Sequence, residues 1–126
     1  MPVQVDPAAL RASLLDVAPW LADESVGTPE RAALAAAVRL SARTLAQSAP
    51  GNSVEVRVPP FVAVQCVAGP RHTRGTPPNV VETDARTWLL LVVGRLSFAE
   101  ARDQALLRAS GTRAEDIAHW LPLLRV

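Results

Sequence analysis

The sequence predicts an α+β protein in which two N-terminal helices lead into a strand region and helices return afterwards. Three observations predict that class. Apolar residues recur at helical spacing through roughly the first 50 residues. "VEVRV", Val54–Val58, then alternates with a period of two. From Thr83, "TDARTWLLLVVG" reads as a capped helix again. A length of 126 residues fits a single domain spanning 1–126, with a helical part over 1–50.

The first helix is expected in "VDPAALRASLLDVAPWL". Asp6 is its N-cap, Pro7 occupies the first helical position, and Leu10, Leu14 and Val17 share a face. Pro19 is expected to end it, since proline removes a helical donor and clashes with the preceding turn. A second helix should start behind Thr28-Pro29, with Leu34, Ala37, Val38, Ser41 and Leu45 inward and Arg39 and Arg43 outward. "SAPGN" is a turn, and Val54–Val58 follows as a half-buried strand. "FVAVQCV", apolar on both faces, predicts a more buried strand, and "NVVE" a third. Thr83-Asp84 caps the next helix, whose six consecutive apolar residues Trp88–Val93 end at Gly94, a natural left-handed C′ residue. A helix apolar all round needs apolar neighbours on more than one side, either core or the wall of an apolar cavity. Ser97 and Glu100 form a capping box for a short helix, and "LLRAS" is strand-like. A second capping box in "TRAE" opens a last helix carrying Ile117, Trp120 and Leu121, which Pro122 ends.

Composition excludes several functions. The net charge of +1 is too small for a nucleic-acid binder. Its distribution is uneven, because no acid lies between Glu55 and Glu82 while Arg57, Arg71 and Arg74 do. Such a patch suits a carboxylate or phosphate. The single Cys66 has no internal disulfide partner and sits in a valine-rich run as a small buried hydrophobe. With no signal-peptide pattern and no apolar run near the ~20 residues a span needs, a cytoplasmic protein is expected. The two histidines, His72 and His119, are far apart, and no Ser or Cys stands beside an oriented base, so no catalytic residues are assigned. One Cys and two remote His make no metal site, and no cofactor motif is present.

From Val80, "VVETDARTWLLLVVGRLSFAEARDQALLRASGTRAEDIAHWLPLL" resembles the C-terminal half of the sterol carrier protein family of type two. The turn Gly94-Arg95-Leu96 stands where that family has Gly-basic-Leu, the capped helix starts at Ser97, and a strand closes at Gly111. "VPPF" and "GPRHTRGTPPNVVETD" look like its bacterial branch, and the resemblance covers roughly residues 53–124. It implies a five-stranded, mostly antiparallel sheet covered on one face by helices, with an apolar tunnel for a lipid between them. It also implies, as apolar lining, Trp88, Leu91, Val92, Phe98, Ala101, Ile117, Trp120 and Leu121. The function implied is non-catalytic binding and transfer of a fatty acid, acyl thioester or sterol-like molecule. The alternative is an interaction or accessory module with a filled core and no lipid. The partner expected is an apolar small-molecule lipid, with at most transient membrane-surface contact and no nucleic acid. A homodimer or an enzyme partner stays open.

The segment "GPRHTRGTPPNVVETD" has two readings. Its proline pair holds the chain extended before Val80, and its arginines can close the loop onto Glu82 or Asp84. Alternatively Arg71, His72 and Arg74 meet an acidic head group or an anionic membrane surface, for which the planar fork of arginine is suited.

Overall fold

The computed structural model describes residues 4–69 and 79–126. Arg71, His72 and Arg74 lie outside the described residues. Helix α1 spans Pro7–Ala22, with the Asp6 carboxylate accepting from the Ala8 N–H. Contrary to expectation, Pro19 lies inside it. The reason is tertiary. Arg86 donates to the carbonyls of Trp20 and Leu21 at 3.3 and 3.1 Å and lies over the Trp20 ring, so the turn beyond the proline is held from outside the helix. Helix α2 spans Arg31–Ser48. Its N-cap is Glu30, without a side-chain cap bond. The backbone stays extended through that residue, which leaves Thr28 and Pro29 outside the helix.

Three strands follow, β1 at Val54–Val58, β2 at Val62–Cys66 and β3 at Asn79–Thr83, and β4 closes the sheet at Leu107–Ser110. The order is β2-β1-β3-β4. The outer pairings are antiparallel and the central β1–β3 pairing is parallel. Among the described residues the sheet is therefore four-stranded and mixed, where five mostly antiparallel strands were expected. The chain leaves β2 and returns on the far side of β1, so β3 runs alongside β1 in the same direction and no hairpin forms. Beyond the four strands the sequence has no other alternating apolar run. Strand β2 is also less buried than its composition suggests, because it is an edge strand: Ala63 and Gln65 are exposed.

One sheet face is dry and the other carries charge. Val54, Val56, Val58 and Val81 are fully buried, while Glu55, Arg57, Val80 and Glu82 between them are half-buried. On that open face Arg57 pairs with Glu55, and Arg108 of β4 reaches Glu82 of β3 at 3.0 Å. The buried face shares one core with the inner sides of α1 and α2 through Leu14, Val17, Val38 and Leu45.

Helix α3 spans Ala85–Val93 with Asp84 as N-cap, and α4 spans Phe98–Asp103 behind the Ser97–Glu100 capping box, as the sequence predicts. The expected last helix is a 3₁₀ helix at Ala114–Trp120 with no side-chain cap. The amide of Arg113 is taken by Asn79 Oδ1 at 2.9 Å, which ties this entry to β3, and the Glu115 carboxylate expected in the Thr112 capping box pairs with Arg102 at 2.7 Å. Asn79 is buried and also donates to the Ser53 carbonyl at 2.7 Å, so one side chain joins β1, β3 and the last helix.

Candidate functional site

The apolar run on α3 places its side chains on every side, and five of its six residues are buried. Trp88 is wholly buried beneath α2, and its indole N–H donates to Ser41 Oγ at 2.9 Å. That bond explains why a serine lies among the apolar residues of the inner face of α2: the indole needs an acceptor once it leaves water. The Ser41 hydroxyl in turn donates to the Ala37 carbonyl at 2.6 Å.

The end of α3 shapes a cleft. Gly94 has φ +80°, its N–H and that of Arg95 fold back on the carbonyls of Leu91 and Leu90, and the chain turns sharply into α4. After the 3₁₀ helix the C-terminal segment comes back over this turn. The amides of Leu123 and Leu124 both donate to the Val92 carbonyl, at 2.8 and 3.3 Å. The glycine suits the turn by its φ, and its missing side chain leaves room for Arg125. A Cβ there would stand 2.7 Å from Arg125 Nη1 and 3.1 Å from Pro122 Cγ. Between the α3–α4 turn and the returning segment lies a cleft of about 380 Å³. Its walls include Leu91, Leu96, Phe98, Leu121 and Pro122, with Arg95, Arg125 and Glu100 at its polar side. The Glu100 carboxylate accepts from the Ser97 amide at 2.9 Å, and that capping contact lowers its pKa.

A match to the sequence profile of the bacterial SCP ortholog family, SCP standing for sterol carrier protein, covers residues 30–123. The chain belongs to that family. No curated protein matches it. Membership points to a lipid-binding or carrier role of a general kind, in a family that is generally non-catalytic. The matched span includes α2, so the Ser41–Trp88 contact falls within the family unit of this sterol-carrier-like chain.

The eight lining candidates divide between two environments. Trp88, Leu91, Val92, Phe98, Ala101 and Ile117 belong to the core and are no more than 5% exposed, while Trp120 and Leu121 are half-buried against it. Leu91, Phe98 and Leu121 also border the cleft. Sequence reading missed Arg95, Leu96, Pro122 and Arg125 as cleft residues. The Gly-Arg-Leu turn was a usable signal for the first two. Nothing local indicated that the C-terminal segment returns to α3.

His119 is exposed and sets its ring edge-on to Trp120 at 5.1 Å. Among the described residues no group of His, Cys, Asp and Glu is arranged to hold a metal, and no helix is long and apolar enough to cross a membrane. A larger hollow of about 670 Å³ lies at the sheet, with Arg57, Glu82, Arg102 and Arg108 in its lining. Its arginines are each engaged by a carboxylate, of Glu55, Glu115 and Glu82.

Proposed function

We propose that this chain binds and carries an apolar or amphipathic lipid, such as a fatty acid, an acyl thioester or a sterol-like molecule, at the cleft between the α3–α4 turn and the C-terminal segment. The observation that carries the reading is the cleft itself. In a chain of the sterol carrier family, the apolar run Trp88–Val93 of α3 ends at an open space of about 380 Å³, within the ~300–1,000 Å³ range of small-molecule sites. The driving force is transfer of apolar surface out of water, roughly 0.8 kcal/mol per methylene. About ten buried methylenes then supply roughly 8 kcal/mol, which corresponds to a micromolar Kd before association costs. A chain longer than the cleft must part Leu91 from Phe98 and advance along the Trp88–Ile117 core, which is the tunnel path implied for the family. On this reading the protein works in the cytoplasm and touches membranes only in passing.

A second reading is favoured by one observation, the close packing of Trp88, Leu89, Leu91 and Ile117, each at most 1% exposed. A filled core suits an accessory module that binds another protein and carries no lipid. Displacement of a fluorescent fatty acid, followed together with tryptophan emission, separates the two. Saturable displacement with a shift in emission supports carriage, because Trp88 and Trp120 flank the inward path. No displacement by fatty acids, acyl thioesters or sterols, with unchanged emission, rules it out in favour of the accessory role.

A further inference from the structure

Six arginines among the described residues are engaged. Arg57, Arg86, Arg102 and Arg108 lie in ion pairs, and Arg39 and Arg113 donate to backbone carbonyls. Arg95 is different. It is exposed, and its guanidinium has no hydrogen bond or ion pair among the described residues. Arg125 enters the same cleft from the returning segment and makes one long contact, to the Gly94 carbonyl at 3.5 Å. Arg95 and Arg125 thus line one cleft from separate parts of the chain, together with the apolar Leu91, Phe98 and Leu121. Glu100, the carboxylate of the lining, is turned into its own helix cap. The lining carries two cations against one anion.

We infer that Arg95 and Arg125 clamp the anionic head, a carboxylate or a phosphate monoester, of a single-chain amphiphile whose hydrocarbon lies on the apolar floor of the cleft. This rests on the carrier reading above and narrows its ligand class. Planar guanidinium forks bind both heads in two-point fashion, and charge-assisted hydrogen bonds beside a desolvated surface are stronger than neutral ones. Gly94 has a part in this, since any side chain there would push Arg125 out of place.

The test compares the parent with the Arg95→Gln/Arg125→Gln variant by displacement of a fluorescent fatty acid. The competitors are hexadecanoate, hexadecyl phosphate, hexadecanol and inorganic phosphate. The parent should bind both anionic amphiphiles more tightly than the alcohol and ignore inorganic phosphate. The variant should lose at least about tenfold for the anionic ligands, less at high salt, and keep its affinity for the alcohol. Loss of one anionic ligand alone identifies which head the clamp serves. An Arg11→Gln/Arg43→Gln control removes the same net charge from the N-terminal helices and should change nothing. Equal losses for acid, phosphate and alcohol, or none, overturn the clamp and leave carriage standing, as does displacement by inorganic phosphate alone. A parent that binds no amphiphile overturns both. Should the double variant melt early, the single Arg95→Gln, which breaks no contact among the described residues, decides the matter by the same comparison.

Discussion

Replacing Ser41 by Ala removes the acceptor of the Trp88 indole and nothing else of size. Both residues are fully buried, and the N–H meets no other acceptor among the described residues, so the variant strands a polar hydrogen in apolar surroundings. Such a group costs about 1–3 kcal/mol. Alanine returns roughly 0.5 kcal/mol through its helix propensity on α2, leaving a net loss of about 1–2 kcal/mol. Unfolding entropy is near 2.1 cal/mol/K per residue, so 126 residues give roughly 0.26 kcal/mol/K, and a loss of about 1.5 kcal/mol lowers the melting temperature by about 6 °C. Urea unfolding should show a lower midpoint with an unchanged slope. Trp88→Phe deletes the donor at some cost in volume. In the Ser41→Ala background that second change should be milder by about 1 kcal/mol than in the parent. Strict additivity of the two substitutions would mean that the indole bond does not hold α2 to α3, and would refute the reasoning.

Two further outcomes follow from the same structure. Gly94→Val should lower stability by more than about 1 kcal/mol, because a β-branched residue is strained at a φ of +80° and its Cβ would meet Arg125 and Pro122; an unchanged melting temperature refutes the left-handed cap. Burial pushes the Cys66 thiol from 9.0 up to about 11. The folded state therefore holds this proton longer than the unfolded chain does, so the contribution of Cys66 to stability is whole below 9.0 and is lost as pH rises through about 11. Stability measured across that window should fall less steeply in Cys66→Ala, and identical slopes would show that the thiol is not shielded.

What the sequence disclosed was what depends on near neighbours. Asp6, Asp84, Ser97 and Gly94 do what their positions suggest because capping needs only residues within one turn. Apart from the start of α2, the failures involve partners distant in sequence. Pro19 is tolerated because Arg86, on another helix, binds the carbonyls beyond it. The Thr112 box does not form: the helix starts one residue later, with Arg113 at the N-cap, and the Glu115 carboxylate pairs with Arg102 of α4. The burial of β2 was overestimated because composition does not show which strand lies at an edge. The cleft was half legible for the same reason. Leu91, Phe98 and Leu121 could be read from helical stripes and family resemblance, whereas Arg125 reaches the site only through the hydrogen bonds of the C-terminal segment to Val92.

Carriage itself is tested most directly by native mass spectrometry of the intact chain, first as purified and then after incubation with a mixture of hexadecanoate, hexadecyl phosphate and a sterol. A single lipid bound per chain is the expected result, with the anionic amphiphiles retained in preference to the sterol and lost when an organic solvent strips the protein. Apoprotein alone under both conditions, from a sample whose thermal unfolding is cooperative, would contradict lipid carriage and leave the accessory role.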